Sequence, residues 1–101
     1  MEEICQFVIN KHIYTIYDVD KITGKENYVG RSHYEEKTIY IEKGNFKDML
    51  LTLKHELMHV WLYIYGHNQD EKQFNNEDVC EIVASSNNFI NEIVIKYFKE
   101  R

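Results

Sequence analysis

The sequence predicts an α+β domain: a small N-terminal sheet, antiparallel or mixed, packed on two long helices. Three observations carry this. From Gln6 to Asp20, β-branched and aromatic residues alternate with others at period two, the spacing of strands. A second strand-like run, Thr38-Ile39-Tyr40-Ile41-Glu42, comes just before a stretch from Phe46 to Tyr65 that holds neither Gly nor Pro. Finally, Val79, Ile82, Val83, Ile90, Ile93, Val94 and Tyr97 recur at helical spacing between Asn76 and Lys99.

In chain order, Phe7 and Ile9, then Ile13, Thr15 and Tyr17, mark two strands with a turn at Asn10-Lys11. Residues 21–27 are polar and centred on Gly24, so they read as a loop. Residues 28–36 fit neither period; Gly30 comes early and Tyr34-Glu35-Glu36-Lys37 reads as a turn. The third strand is Thr38 to Glu42. Asn45 is placed to cap the helix that follows, with Asp48 three residues on and favourable to the helix dipole. From Phe46 to Tyr65 the helix is apolar nearly all round, which predicts burial on most sides. Gly66 ends it as a left-handed residue. A polar connection, residues 67–75, leads to the second helix, where Asn87-Asn88 predicts a bend or break.

At 101 residues this is one domain, 1–101, long enough to bury a core without disulfides. Hydrophobic content of 44% excludes a disordered chain. A net charge of −5 with no Lys/Arg cluster argues against nucleic-acid binding, which needs concentrated positive charge. No apolar run approaches the roughly 18 residues of a membrane span, and the N-terminus lacks the basic-then-apolar layout of a signal peptide. The expected location is the cytoplasm. Cys5 and Cys80, far apart and outside any CxxC, are expected to be free thiols there.

The chemistry concentrates in the first helix, at His55-Glu56-Leu57-Met58-His59. Residues four apart share one helix face, so His55 and His59 can offer two imidazole nitrogens to a single ion, the geometry of a zinc pair. Glu56 stands where a carboxylate can take a proton from a metal-bound water without itself being a ligand. Two His and a Glu buried in so apolar a helix without partners would cost several kcal/mol. A zinc site needs a third protein donor. Glu77, Asp78 and Glu81 on the second helix are the candidates, and Glu77 and Glu81 lie one turn apart on one face.

The flanks of this motif resemble those of zinc metallopeptidases. Thr52 through Trp61 matches the extended zincin pattern at every place: Val or Thr, an uncharged residue, any residue, His-Glu, two uncharged residues, His, an uncharged residue and a hydrophobic one. Asn76-Glu77-Asp78-Val79-Cys80-Glu81 is similar to the second signature of the gluzincin, thermolysin-like class, Asn-Glu-x-x-Ser-Asp, with Cys80 for Ser and Glu81 for Asp. Leu62 and Tyr65 occupy the places where metzincins carry Gly and His. The layout also resembles the small ImmA/IrrE-type metallopeptidases of phages and mobile elements.

That resemblance, which covers about residues 38 to 84, implies a zinc-dependent peptidase. His55, His59 and Glu77 would hold Zn²⁺, Glu56 would act as general base, and Glu81 would steady His55. Glu81 is the alternative ligand, because Glu81-x-x-Ala84 is similar to another form of the signature. Tyr34, His33, Tyr63 or His67 would serve the oxyanion. The strand Thr38 to Glu42 would wall the cleft, where a peptide or protein substrate adds along its edge. The competing expectation is a non-catalytic, zinc-stabilised protein-binding module of a phage or mobile element.

Overall fold

The computed structural model describes residues 1–22, 29–66 and 74–101. Residues 23–28, most of the expected first loop, and residues 67–73 of the expected polar connection, His67 among them, lie outside the described residues. Glu2–Ile9 (β1) and His12–Val19 (β2) form an antiparallel hairpin around Asn10 and Lys11. Both turn residues have positive φ, 46° and 69°, and such a pair matches the twist of a two-residue hairpin. Gly30–His33 (β3) leads through a turn at residues 34–37 into Thr38–Glu42 (β4). The strand order is β1-β2-β4-β3, with β4 parallel to β2 and antiparallel to β3. The sheet is therefore mixed, with β4 in its interior and β3 at its edge.

One face of the sheet carries the core: Cys5, Phe7 and Ile9 from β1, Tyr14 and Ile16 from β2, Ile39 and Ile41 from β4. Both helices pack on that face. Phe46–Ile64 (α1) lies over β3 and β4, and Asn76–Glu100 (α2) lies over β1. They contribute Met49, Leu53, Leu57 and Val60, and Ile90, Ile93 and Tyr97, respectively. Among the described residues no helix is long and apolar enough to cross a membrane.

Two local expectations, for α1 and α2, are corrected by this packing, and the choice of buried face in β2, which the sequence left open, is made by it. In β2 the core face is Tyr14, Ile16 and Asp18, while Ile13 on the other face is 57% exposed. Period two defines two faces, and β2 carries large side chains on both; the hairpin register chooses by setting Phe7 opposite Tyr14, whose rings stack at 5.5 Å. In α1 a single stripe is buried, Met49, Leu53, Glu56, Leu57 and Val60, whereas Leu51 is 59% exposed and Phe46 and Tyr63 also face outward. With both helices on one sheet face, no described element covers the outer side of α1. α2 runs unbroken through Asn87 and Asn88, which are both exposed. Ile82, Ser86 and Ile90 anchor the helix to the core on either side of them, and tertiary packing outweighs the weak helix propensity of Asn.

The helix starts follow local chemistry. Asn45 accepts a hydrogen bond from the Asp48 N–H at 2.8 Å, as the sequence predicts. Asn75 caps α2 in a reciprocal box with Asp78, so Asp78 belongs to the helix start rather than to a metal site.

At the far end of α2 a buried polar cluster ties helix to sheet. Asp18, 1% exposed, accepts hydrogen bonds from the Tyr97 hydroxyl and, at 2.6 Å, from Arg101 Nε. A buried carboxylate needs such partners, and here they come from 79 and 83 residues away in sequence. Burial first, and the bond to Asp18 second, push the Tyr97 hydroxyl pKa above its ordinary range.

Candidate metal centre

The centre is built on the middle of α1. His55 and His59, one turn apart, bring their Nε2 atoms to 3.0 Å of each other, with the rings nearly perpendicular. This side of the helix is turned away from the core, so His55 is exposed and His59 half-buried. Glu56, a further step around the helix, points inward beneath β3 and is only 7% exposed. Its Oε1 accepts a hydrogen bond from the Ser32 hydroxyl at 2.8 Å.

Close approach of β3 to α1 depends on Gly30. A Cβ at that position would lie 2.5 Å from Thr52 Cγ2, 3.0 Å from Glu56 Cγ and 3.1 Å from Glu56 Oε2. Thr52 cannot easily yield, because its hydroxyl donates to the Asp48 carbonyl at 2.8 Å and β-branching limits its rotamers. Gly30→Ala is therefore expected to push β3 off α1 and to cost about 1–3 kcal/mol, as overpacking does. Thermal melting of the variant checks this, and an unchanged melting temperature would contradict the contact.

The cleft between the two elements has a volume of about 540 Å³. β3 with Tyr34 forms one wall; His55, Glu56 and His59 form the other. The expected wall, Thr38 to Glu42, is displaced from this role. As β4 it is bonded on both sides, to β2 and β3, and has no free edge to offer. Of the four side chains named for the oxyanion, His33 and Tyr34 line the cleft. Tyr63 stacks on Tyr34 at 4.2 Å without lining the cleft. Burial, then Glu56 and Tyr63, raise the Tyr34 pKa, so its hydroxyl stays protonated and able to donate.

Glu77 and Glu81 lie elsewhere. Both are exposed and line a separate groove with Cys80, Ala84 and Ser85. His55 Nε2 meets His59, and no hydrogen bond joins it to Glu81 among the described residues. Likewise, no group of three or more His, Cys, Asp or Glu is placed to hold a metal ion among the described residues. Cys80 is a free, exposed thiol, and Cys5 is buried, its thiol pushed up to about 11 by desolvation and so kept unreactive.

The donor set fits zinc as far as the imidazole pair. Two Zn–N bonds of about 2.0–2.1 Å at a tetrahedral angle separate the nitrogens by about 3.3 Å, a few tenths of an ångström more than their present spacing. Among the described residues no third His, Cys, Asp or Glu joins the pair, and Glu77, the ligand that the resemblance implies, stands outside the cleft.

Gly30 and Ser32 escaped the sequence reading as site residues. The available signal was faint: two small residues, two apart, in a short stretch just before a turn. Compared with models of known protein families, with curated proteins and with solved structures, the chain finds no match.

Proposed function

We propose that this domain is a zinc-dependent metallopeptidase of the cytoplasm, acting on a peptide or protein substrate. The observation that carries the reading is the convergence of His55 and His59 Nε2 beside a buried carboxylate, on a cleft walled by an edge strand. His55 and His59 would hold Zn²⁺, with Glu77 as third ligand and Glu81 beside it, in the roles that their resemblance to gluzincin signatures implies. Bound zinc supplies Lewis acidity, which polarises a carbonyl and acidifies water. Glu56 takes the proton of the attacking water and delivers it to the leaving amine. The Tyr34 hydroxyl is the donor available for the oxygen that gains charge at the scissile carbon. An extended peptide can pair with the outer edge of β3 through main-chain hydrogen bonds.

The competing reading is a non-catalytic zinc-stabilised protein-binding module, and Glu56 separates the two, because a purely structural site has no use for a carboxylate beside an open coordination position. Metal content separates the outcomes. Protein purified without added zinc or a His tag is expected to carry about one zinc per chain by elemental analysis, since the site provides one imidazole pair. His59→Ala should lose it, and Glu77→Gln should hold it more weakly. Zinc-free wild-type protein whose melting temperature does not respond to added zinc would end both readings.

A further inference from the structure

The inward face of β3 meets Glu56 twice. Gly30 leaves space against its Cγ and Oε2, and Ser32, two residues on and on the same face of the strand, donates its hydroxyl to Oε1 at 2.8 Å. The same hydroxyl lies 3.4 Å from the Glu56 carbonyl oxygen, so Ser32 sits directly over this turn of α1. A serine hydroxyl has one proton to donate. Its shorter contact is to Oε1, so of the two carboxylate oxygens it engages this one.

We propose that Ser32 is a positioning residue that holds the Glu56 carboxylate in one orientation on the floor of the cleft, so that the edge strand sets both the substrate's register and the place of the general base. This rests on the peptidase reading above. A glutamate is long and flexible, and burial by itself does not select among its rotamers. A hydrogen bond to one carboxylate oxygen does: it anchors Oε1 to β3 and fixes where Oε2 stands. Because Ser32 belongs to the strand against which a peptide would pair, a shift of β3 on substrate docking carries the carboxylate with it. His55 and His59, both on α1, meet each other at 3.0 Å and are not partners in this contact.

The test compares Ser32→Ala and Ser32→Thr with wild type, each zinc-loaded, on the fastest-cleaved peptide of a quenched-fluorescence library. Ser32→Ala should lower kcat about 10- to 100-fold, the cost of a misplaced catalytic group, with KM and zinc per chain unchanged. Ser32→Thr, which keeps the hydroxyl, should recover most of the loss. If Ser32→Ala does not fold, Ser32→Cys, close in size but a weak donor, carries the same expectation. A wild-type kcat in the Ala or Cys variant would overturn the positioning role while leaving the peptidase reading intact, as would a loss of zinc in step with the loss of rate. Zinc-loaded wild type that cleaves no peptide of the library would overturn the peptidase reading and this role together.

Discussion

Replacing Glu56 by Gln is expected to cut peptide hydrolysis by about 10²–10⁴-fold, the usual contribution of a general acid–base, while zinc stays at the wild-type level. Gln keeps the shape of the side chain and can still accept the Ser32 hydrogen bond through its amide oxygen. What it loses is the basic oxygen that takes up a proton. Zinc content is expected to hold because His55 and His59 meet each other, not Glu56, at 3.0 Å. The measurement is kcat/KM beside elemental analysis of the same sample. If Glu56→Gln retains full activity, hydrolysis does not run through this carboxylate. If the variant loses zinc together with activity, Glu56 is holding the metal instead of moving protons.

The second large effect lies far from the cleft. Asp18→Ala is expected to destabilise the domain by about 3 kcal/mol, because it strands the Tyr97 hydroxyl inside the core and leaves Arg101 without its carboxylate. In a chain of this size that corresponds to a fall of about 10–20 °C in melting temperature. Tyr97→Phe provides an independent check through pH. The raised hydroxyl pKa means that the unfolded chain gives up this proton before the folded one does. The stability Tyr97 contributes is thus fully present below about pH 10 and is lost as pH climbs beyond it. The wild-type melting temperature should fall more steeply above that pH than the Tyr97→Phe value; parallel curves would mean that the hydroxyl's burial has no energetic consequence.

Much of the architecture was legible because it is local. The hairpin turn at Asn10-Lys11, the Asn45 cap, the extent of both helices and the shared face of His55 and His59 all depend on residues within a few positions of one another. The elements that were not legible share a different property. Ile13 and Ile16 are equally good strand residues, and only pairing with β1 determines which of them is buried. Leu51 and Leu53 are the same residue type two positions apart, yet only Leu53 faces the sheet. Asp18 reads as an ordinary polar residue at a strand end until Tyr97 and Arg101 arrive from the other end of the chain.

The amino-acid sequence by itself determined an α+β domain with two long helices and an imidazole pair one helical turn apart, since turn chemistry, capping and the i to i+4 spacing act over a few residues. Tertiary structure alone decided that β3 rather than β4 forms the edge, that Gly30 and Ser32 close over Glu56, and that Glu77 and Glu81 stand in a separate groove. Each of these follows from strand order and from how the helices sit on the sheet. Such contacts join residues far apart in the chain, and no local period encodes them.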